Sequence, residues 1–440
     1  MALSASRRRF LGLSAGAGAT GLLWSGGFTS AFSGDRSMPI DVTDWNAIRG
    51  LFELDPALDH FASFFLVSHP RPVRDAIESW RARLDRNPYE TVEHHQFSEG
   101  AENAAMQVAE RVAKYIGAKP EEIALTASTT QSLALVYHGL PLRAGDEVLC
   151  TTHDHYSHHE SIRYACERVG ATSRQVQLYA PAEPVDVDRL VERIVAAVGP
   201  KTRVVGLTWV HSSSGVRLPI PQMAAALKAR HPELLIVVDG VHGIGSTPDA
   251  AARLGADYFC AGCHKWMFAP RGTGILWAHA DAWAKLRPVI PSFSDIETYE
   301  AWLEQRTVAT PMNALRMEPG GFHAFEHQWA MGAAFDLHLA IGRERIGERI
   351  AALNTRLKER LADDRRITLH TPRDPALSAG VVAFEVAGMS PEAVVAGLMA
   401  RRIVASTSPY SPTYARLAPS LVNDEASTDR AAAAVLGLHA

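Results

Sequence analysis

The chain has 440 residues, a formal net charge of −4 and 47% hydrophobic residues. That balance permits a large buried core and offers no basic surface of the kind a nucleic-acid partner requires. Its four cysteines, at positions 150, 166, 260 and 263, lack zinc-type spacing, and nothing in their pattern demands a disulfide. Cys150 and Cys260 stand in apolar runs, which predicts buried thiols.

In chain order, the first feature is Ser6-Arg7-Arg8-Arg9-Phe10-Leu11, followed by a weakly apolar Gly/Ala/Leu stretch to Trp24. Paired arginines before such a stretch predict a twin-arginine export signal, and hence a periplasmic location. The stretch is too short and too glycine-rich for a membrane span of about 18 residues, so no stable membrane anchor is expected. Thr29-Ser30-Ala31 offers small residues for cleavage, which makes residues 1–31 the signal peptide. Residues 32–60 read as an N-terminal arm with Trp45, Leu51 and Phe52 as packing points.

From 61 to 320 strands and helices alternate. Apolar spacing predicts helices over 72–84, 101–116, 129–139, 157–169, 187–198 and 222–230, with Gly117 as a C-cap. Short apolar runs predict strands over 123–126, 147–151, 174–178, 204–209, 234–238 and 258–260. This rhythm implies an α/β fold with a mostly parallel sheet covered on both faces. Residues 321–440 read as bridging helices (327–341 and 346–361) and a smaller α+β domain with a strand at 381–386 and a helix at 391–401.

The run Leu234-Leu235-Ile236-Val237-Val238 delivers Asp239-Gly240-Val241-His242, and 26 residues after Asp239 comes Lys265, in Cys263-His264-Lys265-Trp266. A strand-end Asp and a downstream His-Lys pair are what a pyridoxal phosphate site needs. The lysine carries the cofactor as a Schiff base, and the carboxylate pairs with the pyridinium nitrogen. Gly240, Gly243 and Gly245 do not have the spacing of a dinucleotide fingerprint, and Pro248 follows too closely for a helix to open there. Thr126-Ala127-Ser128-Thr129-Thr130-Gln131 joins a strand to a helix, where backbone N–H groups either bind phosphate or take an ordinary Ser/Thr cap.

The segment Thr152-His153-Asp154-His155-Tyr156-Ser157-His158-His159 follows the 147–151 strand on the same rim. His155 is the choice for stacking on the cofactor ring. The competing readings are a metal site, which makes the chain a His-rich periplasmic metal-binding protein, and a solvated polar loop. His211-Ser212-Ser213-Ser214 follows the next strand, where Ser212 can meet substrate or simply form a turn.

Together these segments resemble the class V aminotransferase-like, fold type I pyridoxal phosphate enzymes over roughly residues 58–436. Asp239-x-x-His242, His264-Lys265-Trp266 and Pro270-Arg271-Gly272-Thr273-Gly274 carry the resemblance. It implies Lys265 as the Schiff-base lysine, Asp239 as pyridinium partner, His242 beside the ring hydroxyl and His155 against the ring. It also implies Thr129, Thr130 and His264 as phosphate contacts. Thr273 is similar to a residue that reaches a partner subunit's phosphate, so a homodimer is expected. Arg416, seven residues before Asn423, is similar to the substrate-carboxylate arginine. No Cys follows Cys263, so cysteine desulfuration is not expected. Gly262-Cys263 replaces a usual Ser-Gly, which removes a phosphate hydroxyl.

The chain looks most like the exported, isopenicillin N epimerase-like branch that includes a periplasmic pyoverdine-tailoring enzyme. The expected function is chemistry at Cα of an amino-acid or glutamyl moiety, through an external Schiff base with the cofactor, in the tailoring of a peptide siderophore. The alternative is an amino-acid epimerase or aminotransferase. No metal is expected.

Overall fold

The computed structural model describes residues 40–98, 100–180 and 184–439. The expected export signal therefore lies outside the described residues. Among them, thirteen strands in chain order, β1–β13, form three sheets.

The main sheet holds β2 (Ile123–Thr126), β3 (Glu147–Thr151), β4 (Thr172–Val176), β5 (Thr202–Thr208), β6 (Leu235–Asp239), β7 (Tyr258–Gly262) and β8 (Gly274–Ala278). Their order is β2-β8-β7-β6-β5-β3-β4. Strands β7, β6, β5, β3 and β4 run parallel, whereas β8 is antiparallel to both neighbours. β6 is buried at every position, which is why it reads as a continuous apolar run rather than an alternation. The Ala104–Ile116, Val187–Ala197, Ile220–Arg230 and Phe325–Ile341 helices cover one face. The Thr129–Gly139 and Tyr156–Val169 helices cover the other. Gly117 ends its helix in the left-handed conformation, with φ 79°.

The register pairs Thr208 with Asp239 and Asp239 with Cys260. Asp239 is thus the last residue of a central strand, at the carboxyl rim where ligands of open α/β sheets bind. No helix opens after it. The turn is held instead by close packing: a Cβ on Gly243 would stand 2.1 Å from the Trp209 ring, and one on Gly245 (φ 77°) would meet the Trp266 backbone at 2.8 Å. These glycines let His242 approach the segment that carries Lys265.

The smaller sheet has the antiparallel order β12 (Ser406–Thr407), β13 (Ala415–Leu417), β10 (Val382–Val386), β9 (Ile367–Leu369). β1 (Asp59–His60) pairs in parallel with β11 (Ile403–Val404). Ile48, Leu51, Phe64 and Val67 pack with Trp266, Phe268, Val381 and Leu421, so the N-terminal segment fills the junction between the two sheets. That junction places Phe64 and β13 over the rim of the main sheet. Among the described residues, no helix is long and apolar enough to cross a membrane.

Candidate active site

Asp239 is 2% exposed, and its Oδ1 accepts the Val241 N–H at 3.1 Å. Burial pushes its carboxyl above the usual range, while His158, the Val241 N–H and Lys265 draw it back down. A carboxylate so placed gains most from a cation brought against it. Lys265 comes to the same place from the loop after β7. Its Nζ lies 3.2 Å from His242 Nε2, and burial lowers it to about 8 against the opposing pull of Asp239. An amine poised there is partly free at neutral pH, as a nucleophile or base requires. His158, fully buried and held by Tyr137 (Nε2 to OH, 2.7 Å), is an electrostatic partner of Asp239 that the sequence reading does not find.

The Thr129–Gly139 helix begins beside this pair, with Ser128 as its N-cap accepting from Gln131 N. The first N–H groups of a helix lack partners within it, so this terminus suits an anion. Thr129 is buried and its Oγ1 accepts from Gly262 N at 2.7 Å, which leaves its own proton available to donate. A Cβ on Gly262 would stand 2.9 Å from His264 and 3.1 Å from Thr129, so the absence of one at Gly262 lets these two side chains close together. Thr130 is exposed at the same terminus. Thr273 is the residue expected to reach a partner subunit's phosphate. It is 1% exposed, and its hydroxyl donates to Pro270 O at 2.5 Å within its own chain. Cys263 is fully buried among apolar side chains, and all four cysteines are free and buried.

In the histidine-rich segment the four rings take four different partners. His153 lies flat on Tyr179, with centroids 3.8 Å apart and planes 1° from parallel. His155 caps the Tyr156–Val169 helix, its Nδ1 accepting from Ser157 N (3.3 Å) and lying 2.8 Å from the Ser157 hydroxyl. His158 meets Tyr137, and His159 Nε2 meets Thr151 O at 2.7 Å. Cys150, Asp154 and His159 do place donor atoms within 4.8 Å of one another. Asp154, however, already accepts from Thr151 N, and burial raises the Cys150 thiol. The loop is thus organised by protein contacts rather than as a convergent set of imidazole ligands. The cap leaves the His155 ring half-buried on the rim, lowered to about 4 by burial and by Lys265, and therefore neutral.

Arg416 enters from β13 and is 4% exposed. It donates to Ser212 O (2.6 Å), Thr407 O (2.7 Å) and Ser406 Oγ (3.0 Å), while its Nε has no partner. Its guanidinium lies 4.4 Å from the centre of the Phe64 ring. Among the described residues, no carboxylate stands within ion-pair distance of it. Burial lowers it only to about 10, so it is a cation at neutral pH. Ser212 ties Arg416 to the rim. Its carbonyl receives Arg416, and its hydroxyl lies 2.6 Å from the Tyr410 hydroxyl. Tyr410, a further residue missing from the sequence reading, faces the His155 ring at 6.1 Å.

A carboxylate at a strand end, a depressed lysine beside it, an anion-ready helix terminus and a buried unpaired cation suit pyridoxal phosphate in chemistry and arrangement. Lys265 would hold it covalently, Asp239 would meet its ring nitrogen, and Thr129, Thr130 and His264 would meet its phosphate. The comparisons agree on the cofactor. The chain is 31% identical to isopenicillin N epimerase of Amycolatopsis lactamdurans, over 78% of this chain and 85% of that one. It is 29% identical to isopenicillin N epimerase of Streptomyces clavuligerus, over 90% and 98%. Its fold is similar to that of C-DES, solved with glycine covalently linked to the pyridoxal phosphate cofactor (TM-score 0.76, 22% identity, 89% of this chain and 99% of that one). It is similar too to that of the cysteine desulfurase CsdA from Escherichia coli (TM-score 0.73, 19% identity, 89% and 97%). The family model described as Aminotransferase class-V matches residues 68–411, so the chain belongs to that family and is a pyridoxal phosphate-dependent enzyme.

Proposed function

We propose that the enzyme moves a proton at Cα of an α-amino-acid moiety, as an epimerase does. The observation that carries this reading is Arg416: a buried guanidinium with an unpartnered Nε and, among the described residues, no carboxylate within ion-pair distance calls for a carboxylate ligand. Bound pyridoxal phosphate supplies an electron sink that stabilises negative charge at Cα of the amine attached to it. Arg416 holds the substrate carboxylate and fixes the orientation of the Cα bonds. Asp239 would pair with a positive charge at the ring nitrogen, and neutral His155 would cover the site without adding charge. Lys265, when not bonded to the cofactor, would take the Cα proton on Nζ from one face, and epimerisation requires that a proton return to the opposite face. The epimerase relatives support proton exchange over cleavage. The test is incubation of holoenzyme with α-amino acids and glutamyl peptides in deuterated water. Deuterium at Cα with change of configuration is expected; a change of side-group mass without Cα exchange would refute epimerisation.

A larger, peptide-linked substrate, such as a siderophore precursor bearing a glutamyl group, is the narrower form of this proposal. Phe65 is 73% exposed and Leu66 nearly half exposed beside Phe64, so an apolar rim borders the clamp. If that reading holds, the glutamyl peptide reacts and free glutamate does not. The enzyme is further proposed to be a homodimer, since exposed Phe322 and Phe293 form an apolar ring pair on the surface. Sedimentation giving a monomer would refute this. Export to the periplasm rests on Arg7 and Arg8. Replacing both by Lys should leave the protein in the cytoplasm, and unchanged delivery would refute it.

A further inference from the structure

Trp266 follows Lys265 directly and is 1% exposed. The indole is fixed tightly: a Cβ on Gly380 would stand 2.6 Å from its ring, and the close packing of Gly245 on its backbone allows no slack. Its Nε1 donates to His242 Nδ1 at 3.1 Å, and His242 Nε2 lies 3.2 Å from Lys265 Nζ. An indole N–H donates and cannot accept. His242 Nδ1 must then be the bare nitrogen, and the neutral ring carries its single proton on Nε2. That N–H points at Lys265. An ammonium has three protons and no lone pair, so it would oppose donor to donor; a free amine accepts the bond. We propose that Trp266 is a positioning residue which, through the tautomer of His242, holds Lys265 as the free amine. In that form Nζ gives its lone pair to the cofactor aldehyde carbon and loses both protons with the aldehyde oxygen as water. The inference rests on Lys265 being the cofactor lysine.

The charges around Lys265 do not produce this state by themselves. Asp239 favours the ammonium, Arg416 opposes it, and His155 and His264 are kept neutral by burial with help from Lys265. Burial, Lys265 and Arg416 also keep His242 well below its ordinary range, so the imidazolium does not compete. The direction of the His242 hydrogen bond is what the indole adds.

The test uses the full chain stripped of cofactor. Pyridoxal phosphate capture is followed across pH, trapped with borohydride and located by peptide mass spectrometry. In the unsubstituted protein the rate should rise through a midpoint well below the ordinary range of a lysine amine. In Trp266→Phe, His242 is free to turn its bare nitrogen toward Lys265 and accept from the ammonium. The midpoint should rise by about one unit, making capture at pH 7 about tenfold slower while rates at high pH converge. Coincident profiles would overturn the inference. Label on a different lysine in the unsubstituted protein would instead overturn the assignment of Lys265. Should Trp266→Phe not fold, nitrogen-15 NMR of histidine-labelled protein decides, with the resonance assigned by its loss in His242→Gln. A bare Nδ1 and protonated Nε2 are expected, and the opposite tautomer refutes the proposal.

Discussion

Arg416→Lys tests the carboxylate clamp directly. The guanidinium spends one N–H on Ser212 O, two on Thr407 O and Ser406 Oγ, and retains an unpartnered Nε. Lysine offers three protons on a single nitrogen, in no fixed plane. It can keep one or two of these tethers or meet a carboxylate, but it cannot do both with fork geometry. The loss is then roughly one charge-assisted hydrogen bond, about 1.5–3 kcal/mol. That corresponds to about a 10- to 150-fold weaker interaction with α-amino acids. Amines lacking the carboxylate never use the fork, and their binding should change by less than about threefold, on the same arithmetic. The assay titrates holoenzyme with matched amino acid and amine pairs, following cofactor absorbance, with thermal melting to register lost packing on Phe64. Equal weakening for amino acids and amines would show that Arg416 only braces β13 against the Ser212 loop, and the reasoning would fail.

Three further outcomes follow from the same geometry. Lys265→Ala should bind the cofactor without a borohydride-fixable bond, and a persistent covalent adduct would locate the Schiff base elsewhere. Asp239→Asn should fold but lose turnover by on the order of 100-fold, the scale of removing a fixed group that meets developing charge; near-normal rates would make Asp239 a turn residue. Glu318 is buried, accepts from Leu125 N at 2.9 Å, and is pushed up to about 7 by burial. Its folded pKa exceeds its unfolded value, so its stabilising effect is complete below about 4 and is lost as pH rises through about 7. Glu318→Gln keeps the acceptor and should raise melting temperature at pH 8 but not at pH 4, by on the order of 3 kcal/mol in stability at the higher pH. An equal effect at both would refute the titration argument.

Much of the main sheet was legible because parallel strands buried on both faces must be apolar throughout. The predicted 123–126, 147–151 and 258–260 strands lie on or within β2, β3 and β7. β8 escaped the reading although Gly274-Ile275-Leu276-Trp277-Ala278 is equally apolar. It follows β7 without a crossover helix and inserts antiparallel between β2 and β7, so the βαβ rhythm gives no sign of it. The Pro88–Gln96 helix was also missed, since its polar, histidine-bearing sequence has little apolar periodicity. Short strands such as β1 and β11 are two residues long and exist only through pairing across more than 300 positions.

At the site, the legible residues were those whose chemistry leaves a local mark. Asp239 ends an apolar run, Lys265 follows a His, and Ser128 with the two threonines opens a helix. Tyr410 leaves no such mark, and residue type alone gives no role to Phe64 or to Trp266, although Trp266 stands in the motif that carries Lys265. Their roles arise only when the small sheet is laid on the rim of the large one, bringing Tyr410 to Ser212 and Phe64 under Arg416. The bond from the Thr273 hydroxyl to Pro270 O is not legible either, because that acceptor is supplied by local backbone conformation and not by residue type. Sequence therefore locates the candidate reactive groups, whereas the groups that would set their protonation and orientation come from contacts between distant segments. Lys265 shows both halves, since the lysine is read from its motif and its free-amine state from an indole and an imidazole folded against each other.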